Sequence, residues 1–364
     1  MSQALLILIV PISWFFIAKY LLRHTFNFKE LGLSIAIVSI LVIVTIQLGK
    51  YGQTIDFEIW NGYVVSKERV HDTYEESYSC NCRETCSGSG KNRTCSETCD
   101  TCYRTHYTVD WNAVTTVGNI TFDSEDSTWS SVYDTPDPKV YKRCKKGEPA
   151  SIEHTYTNYV QAVPESLFND DGHTVTEQFA GQIPAYPRVY SFYQINRVIP
   201  VGTKGIANIA KEIDAGLDEA LKTLGAQKQA NIIVILTGIT DPTYRYAVEQ
   251  AWLGGNKNDI VIFVGLDDQN IIWSDVMTWA LNSGNELFHV TMRDGIMDMK
   301  TLDAKRFVPF VAQTVSKLYD RPQMASYEYL ANEIDPPSWV IWLALFFAFG
   351  GSAGLTWFFH VKEI

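Results

Sequence analysis

Four carboxylates in the second half of the chain, Asp259, Asp267, Asp268 and Asp275, flank the ends of short apolar runs. Carboxylates gathered at strand ends supply the hard oxygen ligands that Ca²⁺ or Mg²⁺ prefers. Two or three of them, converging on a water or a nucleophile, would support metal-assisted hydrolysis of a phosphate ester. Asp is also an ordinary turn residue, because its side chain bonds nearby backbone. Of the two readings this turn chemistry favours the second, since spacing alone does not show convergence.

Cysteine is the second chemical signal. Cys80, Cys82, Cys86, Cys95, Cys99 and Cys102 crowd into one short stretch, with Cys144 apart. In an oxidising compartment such density reads as a disulfide-stapled loop, and six cysteines allow 15 pairings. Cys99-x-x-Cys102 and Cys82-x3-Cys86 also have spacings that suit zinc, although no His pair has finger spacing. An odd count leaves one thiol free or bonded to another chain.

The remaining chemical motifs are thin. Ser87-Gly88-Ser89-Gly90-Lys91 has Thr85 where a phosphate loop needs glycine and Asn92 where it needs Ser or Thr. His71, His106, His154, His173 and His289 are scattered without ligand spacing. No His-Glu-x-x-His or Gly-x-Ser-x-Gly pattern occurs, so no nucleophile is paired with a base. Asn92-Arg93-Thr94 and Asn119-Ile120-Thr121 are sequons, of consequence only in a eukaryotic secretory pathway. A net charge of −11 argues against a nucleic-acid partner, which requires a basic face.

The elements that would position these residues divide by period. Ile55, Phe57 and Ile59 alternate with Asp56 and Glu58, then Asn61-Gly62 precedes Tyr63-Val64-Val65. Alternation broken by Asn-Gly predicts a hairpin. A second hairpin is predicted where Tyr107, Val109 and Trp111 lead through Gly118-Asn119 to Ile120 and Phe122. Residues 152–160 and 189–198 read as further strands, 123–138 as loop, and the cysteine stretch as a loop capping one end of the sheet. From Ile206 to Leu224 the apolar residues recur at three and four, which predicts a helix ended by Gly225. Residues 232–236 and 259–266 read as buried strands, 270–273 as a third and 286–291 as a possible fourth. Asp241-Pro242 opens a helix to about Leu253, and a last helix covers about 303–319. Strands alternating with helices predict a mixed sheet in an α/β sandwich.

Three apolar stretches, residues 4–22, 31–49 and 339–359, each have the length of a bilayer-crossing helix. Lys19, Arg23 and Lys29 surround the short loop between the first two, and such loops stay cytoplasmic. The approach to the third is acidic and Lys362 follows it, so the central domain is expected outside the cytoplasm. A cleaved signal peptide fits residues 1–22 poorly, with no basic residue in Met1-Ser2-Gln3 and no small-x-small site at 19–23. No charge sits mid-span in the last two segments, which speaks against a transporter. Gly350, Gly351, Ser352, Ala353 and Gly354 offer a small-residue surface for helix packing.

The α/β half resembles the TPM domain family over roughly residues 205–318. The resemblance is carried by Ala247, Trp252, Gly255, Lys257, Asn258, Asp259, residues 261–264 and Asp267-Asp268. It implies a membrane-anchored domain outside the cytoplasm, with acid phosphatase activity or metal binding in some members. The long β half and the lack of a glycine-rich tail depart from that family. Trp60-Asn61-Gly62, the cysteine stretch and residues 147–151 leading into Thr157-Asn158-Tyr159 resemble membrane proteins encoded by tailed bacteriophages. That second resemblance implies a host inner membrane and brings no activity with it.

The sequence thus predicts a membrane-anchored α+β protein in four parts. Residues 1–49 hold two spans, 50–200 a β-rich subdomain with a Cys-rich loop at 80–102, 201–325 a TPM-like α/β sandwich, and 326–364 a linker, the third span and a cytoplasmic tail. The function expected is a non-enzymatic one: an extracytoplasmic domain displayed for an envelope protein partner or for self-association. The alternative is a membrane-anchored metal-dependent phosphatase using Ca²⁺ or Mg²⁺.

Overall fold

The computed structural model describes residues 3–21, 27–87, 94–122, 136–163, 173–279 and 284–362. A 3-10 segment (Gln3–Leu8) leads into helix α1 (Ile9–Leu21), followed by α2 (Phe28–Gln53). Strands β1 (Ile55–Ser87), β2 (Thr94–Thr115) and β3 (Gly118–Phe122) come next, then α3 (Lys139–Arg143), β4 (Pro149–Thr157) and α4 (His173–Gln178). The remainder alternates: β5 (Val198–Val201), α5 (Ala207–Lys228), β6 (Asn231–Thr237), α6 (Tyr244–Ala251), β7 (Asp259–Asp267) and β8 (Asn270–Thr278). Helices α7 (Glu286–Asp298), α8 (Ala304–Leu318) and α9 (Ser338–Lys362) complete the chain, with a 3-10 segment at Met324–Asn332 before the last.

Two four-stranded sheets result, ordered β3-β2-β1-β4 and β5-β6-β7-β8. The first is wholly antiparallel. The second is mixed, with β5, β6 and β7 parallel and β8 antiparallel to β7. Its apolar runs are buried on both faces because alternate residues meet different helices. Ile232, Val234, Ile260 and Ile262 pack under α5, α7 and α8. Ile233, Ile235, Val261 and Phe263 pack under α6 and Phe179, just after α4. The crossovers through α5 and α6 advance the same way across the sheet on opposite faces, so their hands are opposite and one breaks the right-handed rule.

Several expectations are corrected. Asn61-Gly62 is no turn: β1 runs straight through it, with Asn61 opposite Ser151 and Gly62 opposite Ala150. Glycine is needed there for close approach, since a Cβ would lie 2.0 Å from Thr116 Oγ1. Gly225 does not end α5, which continues to Lys228 and stops at Gln229 in the left-handed region (φ 49°). A Cβ on Gly225 would lie 1.8 Å from the Asn61 carbonyl oxygen, so this glycine seats the helix against β1. Residues 286–291 are helical, because Phe288, Met292 and Ile296 form a buried stripe that six residues are too few to reveal. The strand expected at 189–198 is mostly irregular and begins only at Val198, while β4 starts and ends about three residues early. The second predicted hairpin forms, turning at Thr116-Val117. Most of the loop expected at 123–138 lies outside the described residues.

Helices α2 and α9 are long and apolar enough to cross a membrane, and α1 belongs to a shorter apolar helix over residues 6–21. Both long helices leave large apolar side chains such as Ile40, Leu48, Trp342 and Phe346 exposed. Between them Val38, Val42, Ile46, Ala344 and Ala348 form a shared core with Phe15 of α1. Gly49 comes so close to Val340 that a Cβ would meet its Cγ2 at 2.5 Å. Small residues thus let the backbones approach, as in membrane helix pairs.

Candidate functional sites

Two places concentrate polar chemistry: a buried junction between the sheets and an exposed arm built by β1 and β2. The junction gathers where β1 passes the amino-terminal ends of β6 and β7. Arg197, only 1 % exposed, is its hub. Its guanidinium donates to Asp218 (2.5 Å), the Asn231 Oδ1 (2.6 Å), the Asn61 Oδ1 (2.5 Å) and the Ser151 hydroxyl (2.7 Å). Asn231 in turn donates to Asp259 (2.8 Å), which also accepts from the Asn256 N–H and the Tyr186 hydroxyl. Burial pushes the Asp259 carboxyl up to about 6, against hydrogen bonds from Asn256, Asn231 and Tyr186 that favour its charged form.

Beside this hub Glu58 is 1 % exposed and faces two cations. Arg321 Nη2 lies 2.5 Å from its Oε1 and Lys257 Nζ 3.9 Å from its Oε2, while the Trp60 ring N–H also donates to it. Burial lowers the Lys257 ammonium from its usual range, with Glu58 opposing. These groups come from β1, β4, α5, the two strand starts and the segment after α8. Arg197 and Glu58 each face an opposite charge, whereas Asp259 is held by three neutral donors, which is how buried ionisable groups are accommodated. The cluster therefore clamps the two sheets together. In the sequence Glu58 was only a polar member of an alternating run, and Arg197, Asn231 and Arg321 were missed. Arg197, a charge immediately before the apolar β5, was the visible signal.

The four predicted carboxylates do not form one set. Asp259 is fully buried at the start of β7, whereas Asp267 ends the same strand and Asp268 follows in the turn. Eight strand steps separate Asp259 from Asp267, roughly 26 Å at the usual rise. Asp268 has φ 53°, a turn conformation that Asp tolerates. Asp275 lies midway along β8, 3.6 Å from Arg245 Nε. His154 stacks on Trp60 at 3.9 Å between centroids, and His289 shares a 2.8 Å hydrogen bond with Thr278. Most of Ser87–Lys91 and the first sequon lie outside the described residues.

The cysteine stretch is not a loop capping a sheet. It is the far end of the β1–β2 ribbon, whose pairing runs from Val64·Thr115 to Ser87·Thr94. The base of the ribbon is packed: Trp111 is buried and donates to Asp137, and Lys67 lies over the Tyr141 ring at 4.0 Å. Beyond Glu68 nearly every described side chain is exposed. From there to Ser87 the ribbon extends about 60 Å at about 3.3 Å per residue. Three cross-strand disulfides close its end: Cys80–Cys102, Cys82–Cys99 and Cys86–Cys95. Cys144 is a buried free thiol. On one face Tyr74 stacks on His106 (4.9 Å), His106 meets Glu76 (2.7 Å) and Arg104 lies over Tyr78 (5.3 Å). No family model, curated protein or solved structure matches this chain.

Proposed function

We propose that the chain is a non-enzymatic integral membrane protein that holds the β1–β2 arm away from the bilayer for a protein partner. One observation carries this reading: the arm presents two faces and two strand edges that no other element among the described residues covers. Exposed edges and aromatic side chains such as Tyr74, Tyr78 and Tyr103 are what an added strand or a protein surface engages. Three bridges favour an extracytoplasmic, oxidising compartment. Three spans are supported by the packing of α1 on α2 and α9, including a 3.1 Å hydrogen bond from the Trp14 ring N–H to Thr356. The basic residues Lys19, Arg23 and Lys29 favour a cytoplasmic first loop. The TPM-like and phage-type readings rest on the sequence resemblances, and the phage-type one would make the membrane the inner membrane of a host.

Photo-crosslinking residues placed at Tyr78 and Tyr103 should capture a discrete envelope protein in cells, and the same residue at Lys211 on α5 should not. Equal or absent capture at all three positions would sink the display reading. Cysteine-accessibility mapping that puts residues 68–110 in the cytosol would sink the topology.

A further inference from the structure

The arm has two unlike faces near its tip. Along β2, which is regular there, side chains alternate, so Cys95, Glu97 and Cys99 share a face and Cys102 lies on the other. An extra residue in β1 between Cys80 and Arg83 brings Cys82, Glu84 and Cys86 onto the face of Cys95, Glu97 and Cys99. That face therefore carries the Cys82–Cys99 bridge, then Glu84 opposite Glu97, then the Cys86–Cys95 bridge. Like charges directly opposed across an antiparallel pair repel. Among the described residues neither carboxylate forms an ion pair. Instead they part. A carboxylate oxygen of Glu97 joins the sulfurs of Cys82 and Cys99, and one of Glu84 joins those of Cys86 and Cys95, the atoms of each trio within 4.8 Å of one another.

We propose that opening these two bridges converts this face into a binding site for a thiophilic divalent cation of the Zn²⁺ class. Two ions bind per arm, each held by two thiolates and one carboxylate, with water completing the shell. Zn–S bonds of about 2.3 Å and Zn–O bonds of about 2.0 Å put tetrahedral donors roughly 3.5–3.8 Å apart. The two sulfurs of each opened bridge therefore move apart from bonding distance, while the carboxylate oxygen stays within the 4.8 Å it already spans. A dithiol reductant gives each bridge two electrons and two protons and leaves as its own disulfide. Each cation then displaces two thiol protons to solvent. A closed bridge has no thiolate to offer, so the bonded and metal-held arms are alternative states.

The test uses the full chain in detergent micelles, reduced by a phosphine, freed of reductant and titrated with Co²⁺. Two equivalents should bind with a thiolate charge-transfer band that Zn²⁺ erases, and the oxidised protein should bind none. Replacing Cys86 and Cys95 together by Ser should leave one equivalent, and replacing Cys80 and Cys102 should leave both. Glu97→Gln should weaken one ion by more than the roughly tenfold that loss of a supporting contact costs. Uptake that restores amide protection across residues 95–99 supports the site. Uptake without it, no band in the reduced protein, equal binding by the oxidised protein, or a loss with the Cys80 and Cys102 pair equal to that with Cys86 and Cys95 each overturns it.

Discussion

The arm and the polar junction are both held by something other than an apolar core, yet in opposite ways. Junction groups are dry, so charge meets charge at low local dielectric and any unmatched member is costly. The arm is wet on both faces, and its cross-strand contacts contribute only about 0.2–1 kcal/mol each. A two-stranded ribbon in water is marginal by itself, so covalent staples stand in for burial. The comparison teaches that the same strand, β1, depends on two kinds of holding along its length. Its first part is fixed by partners in the α/β half, its last by sulfur.

Reduction should separate the two regions most sharply. Each native bridge in a poorly cored element contributes about 2–4 kcal/mol, less than additively when nested. Amide exchange across residues 95–105 should accelerate at least about a hundredfold on reduction, with residues 232–236 unchanged. Equal acceleration in both would erase the distinction. Arg321→Ala comes next. It leaves Glu58 buried with Lys257 as its one remaining cation among the described residues and should cost about 3–5 kcal/mol by denaturant unfolding. Adding Glu58→Gln should recover part of that loss, whereas simple additivity would mean the pair is not coupled.

Acidity sharpens the comparison further. The folded Asp259 carboxyl lies near 6, above its unfolded value, so its contribution is fully present below about pH 4 and is lost as pH rises through 6. That amounts to about 3 kcal/mol. Subtracting the stability curve of Asp259→Asn from that of the native chain should expose this slope between pH 4 and 6.5, and a flat difference would refute it. Smallest is His106→Ala on the arm, worth under about 1 kcal/mol and confined to local exchange near Glu76.

Much of the α/β half was legible because buried strands and amphipathic helices advertise their periods. β6, β7 and α8 lie within a few residues of where the pattern put them. The β half misled for one reason. Asn-Gly signals a turn only when its conformation is local, and here Asn61 is held by Arg197 and Ser151, far away in sequence. Gly225 misled in the same way, being small for the sake of a neighbouring strand instead of a helix end. The cysteines were rightly read as disulfide-forming, but whether they close a loop or staple a ribbon depends on strand register, which composition does not encode. Convergence of the four aspartates was likewise a question of distance, along β7 and across to β8.

Only Thr54 separates the last residue of α2 from the first of β1. The apolar helix and the arm are thus consecutive stretches of one backbone, clamped near their meeting point by Asn61 and Glu58. A load applied at Cys86 would be delivered along hydrogen-bonded strand to this long apolar helix with little slack to absorb it. Whatever grips the tip also steers the helix.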